Sequence, residues 1–408
     1  MFHLVHFQLP FIVSLLVLLL VAKLLGELAE RFGQPSMIGE VIAGVILGPS
    51  LFNLISTPGD IKVIADLGVF MLIVLAGMEI EAEEIRRSIL GRNLWISLLG
   101  FIIPMGSGLL IGFGFHFSNT FSTFLGLCMA ITALPVSIRI LMDIGKLKTD
   151  VGQRIISAAI FNDIVSLLIL GIILDFNDVS KNIRDLTFSI GITIFKVVIF
   201  ILILIIAYKL FNLSKRKVNI VNPRMNKFFH YLKGKESIFA LIILFVLIFS
   251  SISELLGLHF LVGAFFGAIL IPRSMFSTRD FERFQRNISG ITMGFLAPIF
   301  FATMGLSFDI QSLNNFLLLG VVLLASFFSK IFGGYFGGRL AGFNHPKSMA
   351  LGLGLNARGI IEMVIANIAL RNGFIDVSMF SILVIMALTT TIITPFLLKK
   401  AFIKIDLS

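Results

Sequence analysis

Long apolar segments recur along this whole chain, separated by short clusters of charge, proline and glycine, and they decide what it can fold into. A bilayer's hydrocarbon core is about 30 Å thick and takes roughly 20 apolar residues per helical crossing. Laid between the charged and Pro/Gly-rich breaks, that ruler predicts thirteen segments, near 7–32, 36–52, 60–79, 90–116, 120–144, 150–174, 185–211, 236–256, 259–272, 285–306, 313–341, 346–372 and 376–402. The second and ninth fall short of the usual length, which leaves them open to being tilted, partly re-entrant or joined to a neighbour. The expected fold class is an all-α polytopic membrane protein. A hydrophobic content of 57% and a mean hydropathy of +1.02 exceed what a soluble core could hide.

Charge placement checks the segment count independently, because Lys and Arg accumulate on the cytoplasmic side of membrane proteins. The loops after odd-numbered segments hold most of the 33 Lys and Arg residues, including Lys215, Arg216, Lys217, Arg224, Lys227, Lys233 and Lys235. The other side holds Lys62, Lys181, Arg184 and Arg371. This alternation predicts an N-terminus outside and a C-terminus in the cytoplasm. The first apolar run has no basic stretch before it and no small-residue cleavage site after it, so a retained helix is expected. Residues 1–408 read as a single membrane unit with no soluble nucleotide-binding or regulatory domain. The net charge of +10 is spread between apolar segments and does not form one basic face, which argues against nucleic acid as a partner and for membrane lipid. Cys128 is the lone cysteine, so intramolecular disulfides are excluded, and Cys/His pairs at metal-ligand spacing are missing. No cofactor is expected.

With the loop charges set aside, few ionisable residues remain near mid-membrane: Asp163, Lys330, Arg358 and Glu362, with Glu40 and Asp66 somewhat off-centre. A charge at the bilayer centre costs on the order of 2.5–3.5 kcal/mol, so several in one bundle need a reason, and transport is the usual one. Lys23 and Lys196 lie nearer segment ends, where a long stem can carry the ammonium to the interface. Asp163 follows Asn162 close to the midpoint of 150–174. A carboxylate there is hard to ionise unless a cation shares its site, so protons and cations compete for it. The alternative is a buried acid hydrogen-bonded to a neighbouring helix for structure alone.

Two segments carry helix-breaking chemistry at their centres: Thr132-Ala133-Leu134-Pro135-Val136-Ser137, and Gly352-Leu353-Gly354-Leu355-Asn356-Ala357-Arg358-Gly359. Pro135 removes a backbone donor and disfavours helix at Leu134, so carbonyls around Ile131 lose their partners and become available to a cation. Irregular backbone at membrane depth is tolerated where it packs in protein or lines a wet cavity, and paired broken helices point to a transporter site. The breaks lie seven segments apart, so their segments cross in opposite directions, as inverted repeats with two crossed broken helices require. Lys330 has no acid within a turn of its own helix, and it suits either half-helix dipoles or proton carriage. Arg358 and Glu362, four apart, can pair with each other.

These residues resemble the monovalent cation:proton antiporter-2 family, within the larger group that includes bacterial sodium/proton antiporters. The resemblance rests on Gly33-Gln34-Pro35-Ser36-Met37-Ile38-Gly39-Glu40-Val41, Gly44-Val45-Ile46-Leu47-Gly48-Pro49-Ser50, Leu75-Ala76-Gly77-Met78-Glu79 and the Thr132–Leu141 break. Gly257-Leu258-His259-Phe260, Gly263-Ala264-Phe265, Pro298–Leu306 and Asn356-Ala357-Arg358-Gly359 extend it. It implies the sodium/proton antiporter fold of about 13 transmembrane helices in a bacterial inner membrane, working as a homodimer. Interleaved dimerisation and core subdomains are implied, the core mainly helices of 90–211 and 313–402 and moving like an elevator. It also implies that Asp163 is the essential carboxylate. Asn162 stands where electrogenic relatives carry a second Asp that faces the equivalent of Lys330, and Ala158 stands where electroneutral Asn-Asp relatives often carry Glu.

The expected function is secondary active antiport of Na+ or K+ against H+ by alternating access, electroneutral because a lone Asp163 holds one cation or one proton. Asp163 is the expected cation ligand, with Asn162 and Thr132 adding oxygens. Lys330, Arg358 and Glu362 are expected to compensate charge and dipoles, and Ala133, Pro135, Asn356 and Gly359 to form the breaks. Alternatives are a gated potassium efflux channel, whose relatives carry cytosolic nucleotide-binding domains, and a sodium-coupled organic-solute symporter. A separate regulatory subunit is a further conceivable partner.

Overall fold

The computed structural model describes residues 10–55, 59–80, 93–175, 192, 195–210, 235–271, 278–313 and 315–406, and the described elements are helical. In chain order they are α1 (Phe11–Arg31), α2 (Ser36–Leu47), α3 (Gly59–Glu79), α4 (Asn93–Gly114), α5 (Asn119–Ala130), α6 (Leu134–Asp143), α7 (Asp150–Asp175) and α8 (195–210). They continue as α9 (Lys235–Leu255), α10 (Phe260–Ile269), α11 (Thr278–Ile291), α12 (Ala297–Ser307), α13 (Phe316–Leu340), α14 (His345–Gly354), α15 (Ile360–Arg371) and α16 (Val377–Asp406). A π-helical turn, Thr292–Leu296, joins α11 to α12. Among the described residues, seven helical runs are long and apolar enough to cross a membrane. The short expected segments 36–52 and 259–272 contain α2 and α10, which stay short. Much of 185–211, and the Lys215–Lys233 cluster, lie outside the described residues.

Two expected crossings are each built from two half-helices. α5 begins under a Ser118 cap, whose hydroxyl accepts from Phe121 N at 3.2 Å, and stops at Ala130. Ile131 and Ala133 are extended, and Pro135 sits in the first turn of α6, where its missing N–H leaves no helical bond unmade. α14 begins under Asn344, whose side chain accepts from Lys347 N at 3.2 Å, and unwinds after Gly354. Residues 357–359 are non-helical before α15 restarts at Ile360 with Glu362 in its first turn, the helix end that favours an acid.

The chain divides into two compact units. The first comprises Met1–Val69, Glu83–Ser166 and Thr292–Ser408 and contains both breaks. Within it, α1, α2 and α12 share an apolar core of Leu18, Ala22, Ala43, Leu47, Ile299, Ala302 and Leu306. α2 and α12 touch backbone to backbone, because any Cβ at Gly44 would stand 1.9 Å from Ala302 O. Elsewhere in the unit, α13 packs against α4 and α14 at similar range: a Cβ on Gly352 would lie 2.4 Å from Ile331 O. That approach brings the residue before Ile331, Lys330, to the breaks. The second unit comprises Phe70–Ala82 and Leu167–Ile291, with a core of Val197, Phe200, Leu204, Phe249, Leu258 and Val262.

Lys23 is half-exposed, and its Nζ donates to Met293 O at 2.7 Å, within the π-helical turn. Asp66 is likewise engaged, forming an ion pair with Arg371 at the end of α15.

Candidate functional site

The two breaks cross and are stitched together by backbone and hydroxyl groups. Ala133 N donates to Ala357 O at 2.9 Å, and Thr132 Oγ1 lies 3.1 Å from Leu355 O. Ser137 Oγ reaches Gly354 O at 3.5 Å, and Thr391 Oγ1 on α16 donates to Arg358 O at 3.0 Å. These bonds supply the unwound backbone with the partners that lipid cannot provide. Gly359 makes the crossing possible: its φ of −174° suits any residue, but a Cβ there would stand 2.6 Å from Ala133 Cβ. Its requirement for glycine comes from close approach.

Two cationic side chains converge on the carbonyl end of α5. Lys330 Nζ donates to Gly100 O at 3.1 Å, to Thr132 Oγ1 at 2.8 Å and to Ala130 O. Arg358 Nη1 donates to Cys128 O at 2.5 Å and Ile131 O at 3.1 Å. Both side chains are fully buried. A helix C-terminus carries a partial negative charge and unpaired carbonyls, so it attracts cations. The carbonyls that Pro135 was expected to leave open to a transported ion are therefore already taken by the protein's own charges. Lys330 and Arg358 were expected to compensate half-helix dipoles, but the sequence did not show that they would do so on these same carbonyls, because neither is near Ile131 in the chain.

Asp163 is buried on α7, and its charge acts on the Lys330 ammonium. Asn162 stands 2.9 Å from Thr132 Oγ1. Its amide is satisfied with the oxygen on that side, facing Lys330 Nζ at 3.3 Å, and Nδ2 facing Ala158 O at 3.3 Å. The reverse would set amide N–H groups against the ammonium. Ala158, the residue where a relative's Glu was expected, thus contributes its carbonyl. The Thr132 hydroxyl proton is shared between Leu355 O and the Asn162 oxygen, so Thr132, Asn162 and Lys330 form one network beside Asp163.

Glu362 lies beyond this network. Its Oε2 is 3.7 Å from Arg358 Nη1, an ion pair without a hydrogen bond, and its charge too is felt by Lys330. Asn356, at the second break, is fully buried. Among the described residues, the buried charged side chains around the crossed breaks are therefore two bases and two acids, and a third buried acid, Glu40, lies on α2. Gly100 and Thr391 were not singled out from the sequence. The run Thr389-Thr390-Thr391 with Thr394 in an otherwise apolar segment was the available signal for Thr391, whereas nothing local marks the carbonyl of Gly100. Among the described residues no cluster of three or more His, Cys, Asp or Glu side chains suits a multivalent metal.

The profile described as sodium/hydrogen exchanger, transmembrane, matches residues 15–404. The chain belongs to that family. Proteins similar to this chain include the probable Na+/H+ antiporter GerT of Bacillus cereus, 29% identical over 96% of this chain and 100% of the relative. The Na+/H+-K+ antiporter GerN of the same organism is 28% identical, covering 97% of each chain. The Na+/H+ antiporter NhaS4 of Synechocystis is 30% identical over 95% of this chain and 96% of the relative. The sodium proton antiporter MjNhaP1 of Methanocaldococcus jannaschii superposes with a TM-score of 0.70 at 16% identity, over 95% of this chain and 96% of that one. The fold of this family member is thus the all-helical antiporter fold, and it is a multi-pass membrane protein.

Proposed function

We propose that this exchanger-family chain is a secondary active antiporter that moves a monovalent cation, Na+ or K+, against H+ by alternating access, with Asp163 as the group both ions share. The supporting observation is the placement of buried Asp163 next to Asn162, whose amide meets Thr132 at the crossed breaks. Polar and ionisable groups in a membrane interior are expensive, and where they are kept they mark ion or proton pathways. The breaks' carbonyls hold Lys330 and Arg358, so the cation's oxygens come from the Asp163 carboxylate, the Asn162 amide and the Thr132 hydroxyl.

Charge counting favours electroneutral one-for-one exchange. Lys330 and Arg358 balance Asp163 and Glu362, and one cation or one proton at Asp163 adds the same single charge. The motifs favour the monovalent cation:proton antiporter-2 branch. The names of the relatives support both cations, since GerT is called an Na+/H+ antiporter and GerN an Na+/H+-K+ antiporter. A homodimeric elevator in a bacterial inner membrane, N-terminus outside and C-terminus cytoplasmic, completes the reading on the strength of the family resemblance and the Lys/Arg distribution.

The test is reconstitution in sealed liposomes with an interior pH dye at clamped zero potential. Sodium, potassium or lithium gradients are expected to drive proton movement in the wild type and none in Asp163→Asn. Potassium movement without protons would refute antiport, and an exchange rate that responds to imposed voltage would refute electroneutrality.

A further inference from the structure

Six side-chain polar atoms in the stretch 356–362 meet no hydrogen-bond partner among the described residues: Asn356 Oδ1 and Nδ2, Arg358 Nε and Nη2, and Glu362 Oε1 and Oε2. All three side chains are buried, at 0%, 0% and 1% exposure. An unmet buried polar group costs about 1–3 kcal/mol, more if charged, so this set is costly as it stands. Arg358 could relieve part of the cost by closing on Glu362. Instead its Nη1 is held on the Cys128 and Ile131 carbonyls, which keeps Glu362 at 3.7 Å.

The unmet atoms are balanced in kind. Arg358 Nε and Nη2 and Asn356 Nδ2 are donors, whereas the Glu362 oxygens and Asn356 Oδ1 are acceptors. A cation would satisfy the acceptors alone and be repelled by Arg358. Water satisfies both, and a buried water needs two to four such partners. The ionisable groups facing Glu362 are Arg358 one turn earlier, Lys330 from α13 and Cys128 from α5. Asp163 follows Asn162, whose oxygen faces Lys330 Nζ at 3.3 Å, and Lys330 and Arg358 end on the adjacent carbonyls of Ala130 and Ile131, so the two acids flank one pair of cations.

We propose that ordered water joins Asn356, Arg358 and Glu362, and that Glu362 is a second proton-carrying group through which the proton of Asp163 departs and returns. When the cation enters, the O–H bond of the Asp163 carboxylic acid breaks, a bridging water accepts that proton while releasing another, and a Glu362 carboxylate oxygen forms the new O–H bond. Glu362 then gives the proton to water on the open side and recovers its charge, so the overall exchange stays one for one. Asn356 positions the water and Arg358 keeps Glu362 charged and ready to accept.

This inference rests on the antiport reading above, and its test separates the two. Two fluxes are measured in the same liposomes: sodium-driven proton movement, and radioactive sodium uptake against equal sodium on both sides, which requires no proton transfer. In Glu362→Gln the ratio of proton-coupled flux to sodium self-exchange is expected to fall about tenfold or more, since relayed acid–base steps contribute about 100-fold or more where they operate. Asn356→Leu shifts the ratio in the same direction, and Glu362→Asp restores much of it. Equal loss of both fluxes, unrescued by Asp, makes the cluster purely structural and overturns the relay, as does an unchanged ratio. Wild-type protein that exchanges sodium for sodium but never for protons refutes the antiport reading itself, and the relay with it.

Discussion

Replacing Gly359 by alanine tests the crossing that organises the site. The new Cβ would stand 2.6 Å from Ala133 Cβ and 3.4 Å from Val136 Cγ2. Two carbon atoms pack at about 3.5–4.0 Å, so the breaks must part by about 1 Å. That displacement acts directly on the Ala133 N to Ala357 O bond of 2.9 Å. Overpacking costs about 1–3 kcal/mol. A misplacement of about 1 Å at a reacting site can lower rates by about 100-fold. The φ of −174° is ordinary for alanine, so strain in the backbone adds nothing. Since the clash is between two Cβ atoms, Ala133→Gly in the same molecule removes it, at a backbone entropy cost of about 0.5–1 kcal/mol. The assay is liposome exchange together with the detergent-solubilised unfolding temperature for wild type, both single variants and the double variant, analysed as a double-mutant cycle. Gly359→Ala is expected to lose about 10- to 100-fold in rate, and the double variant to recover most of it. A double variant no faster than Gly359→Ala would refute the close-approach argument.

Two further outcomes follow from the site. On the proposed sharing of Asp163, protons compete with the cation: as pH falls, the apparent KM for the cation should rise, approaching about tenfold per pH unit on the acid side by mass action, while the maximal rate at saturating cation stays level. A KM independent of pH would show separate sites. Thr132→Val should orphan Leu355 O and take one acceptor from Lys330, and an unmet buried group is worth about 1–3 kcal/mol, so exchange should fall at least about fivefold while Thr132→Ser stays near wild type. Equal activity of the Val and Ser variants would exclude the hydroxyl.

How much was legible beforehand depends on the range of the interaction. The apolar segments, the breaks at Pro135 and Asn356–Gly359 and the isolated Asp163 are visible because lipid imposes its length rule and its charge penalty locally, residue by residue. The Ser118 and Asn344 caps and the π-helical turn depend on local geometry that sequence indicates only loosely. The partner of Lys23, Met293 O, was not legible either, since it lies 270 residues away in the chain.

The sequence by itself determined the membrane architecture and the small set of charges that the membrane interior must accommodate. Only the tertiary structure decided which groups those charges meet. Lys330 on α13 and Arg358 at the second break both end on carbonyls of α5, from about 200 residues away in the chain, and so occupy the groups that the proline had freed. Glycines that admit backbone contact at Gly352 and Gly359 set those distances. Hydrogen bonds act over a few ångströms in space whatever the separation in sequence, so the pairing of a carbonyl with its cation is settled when helices pack.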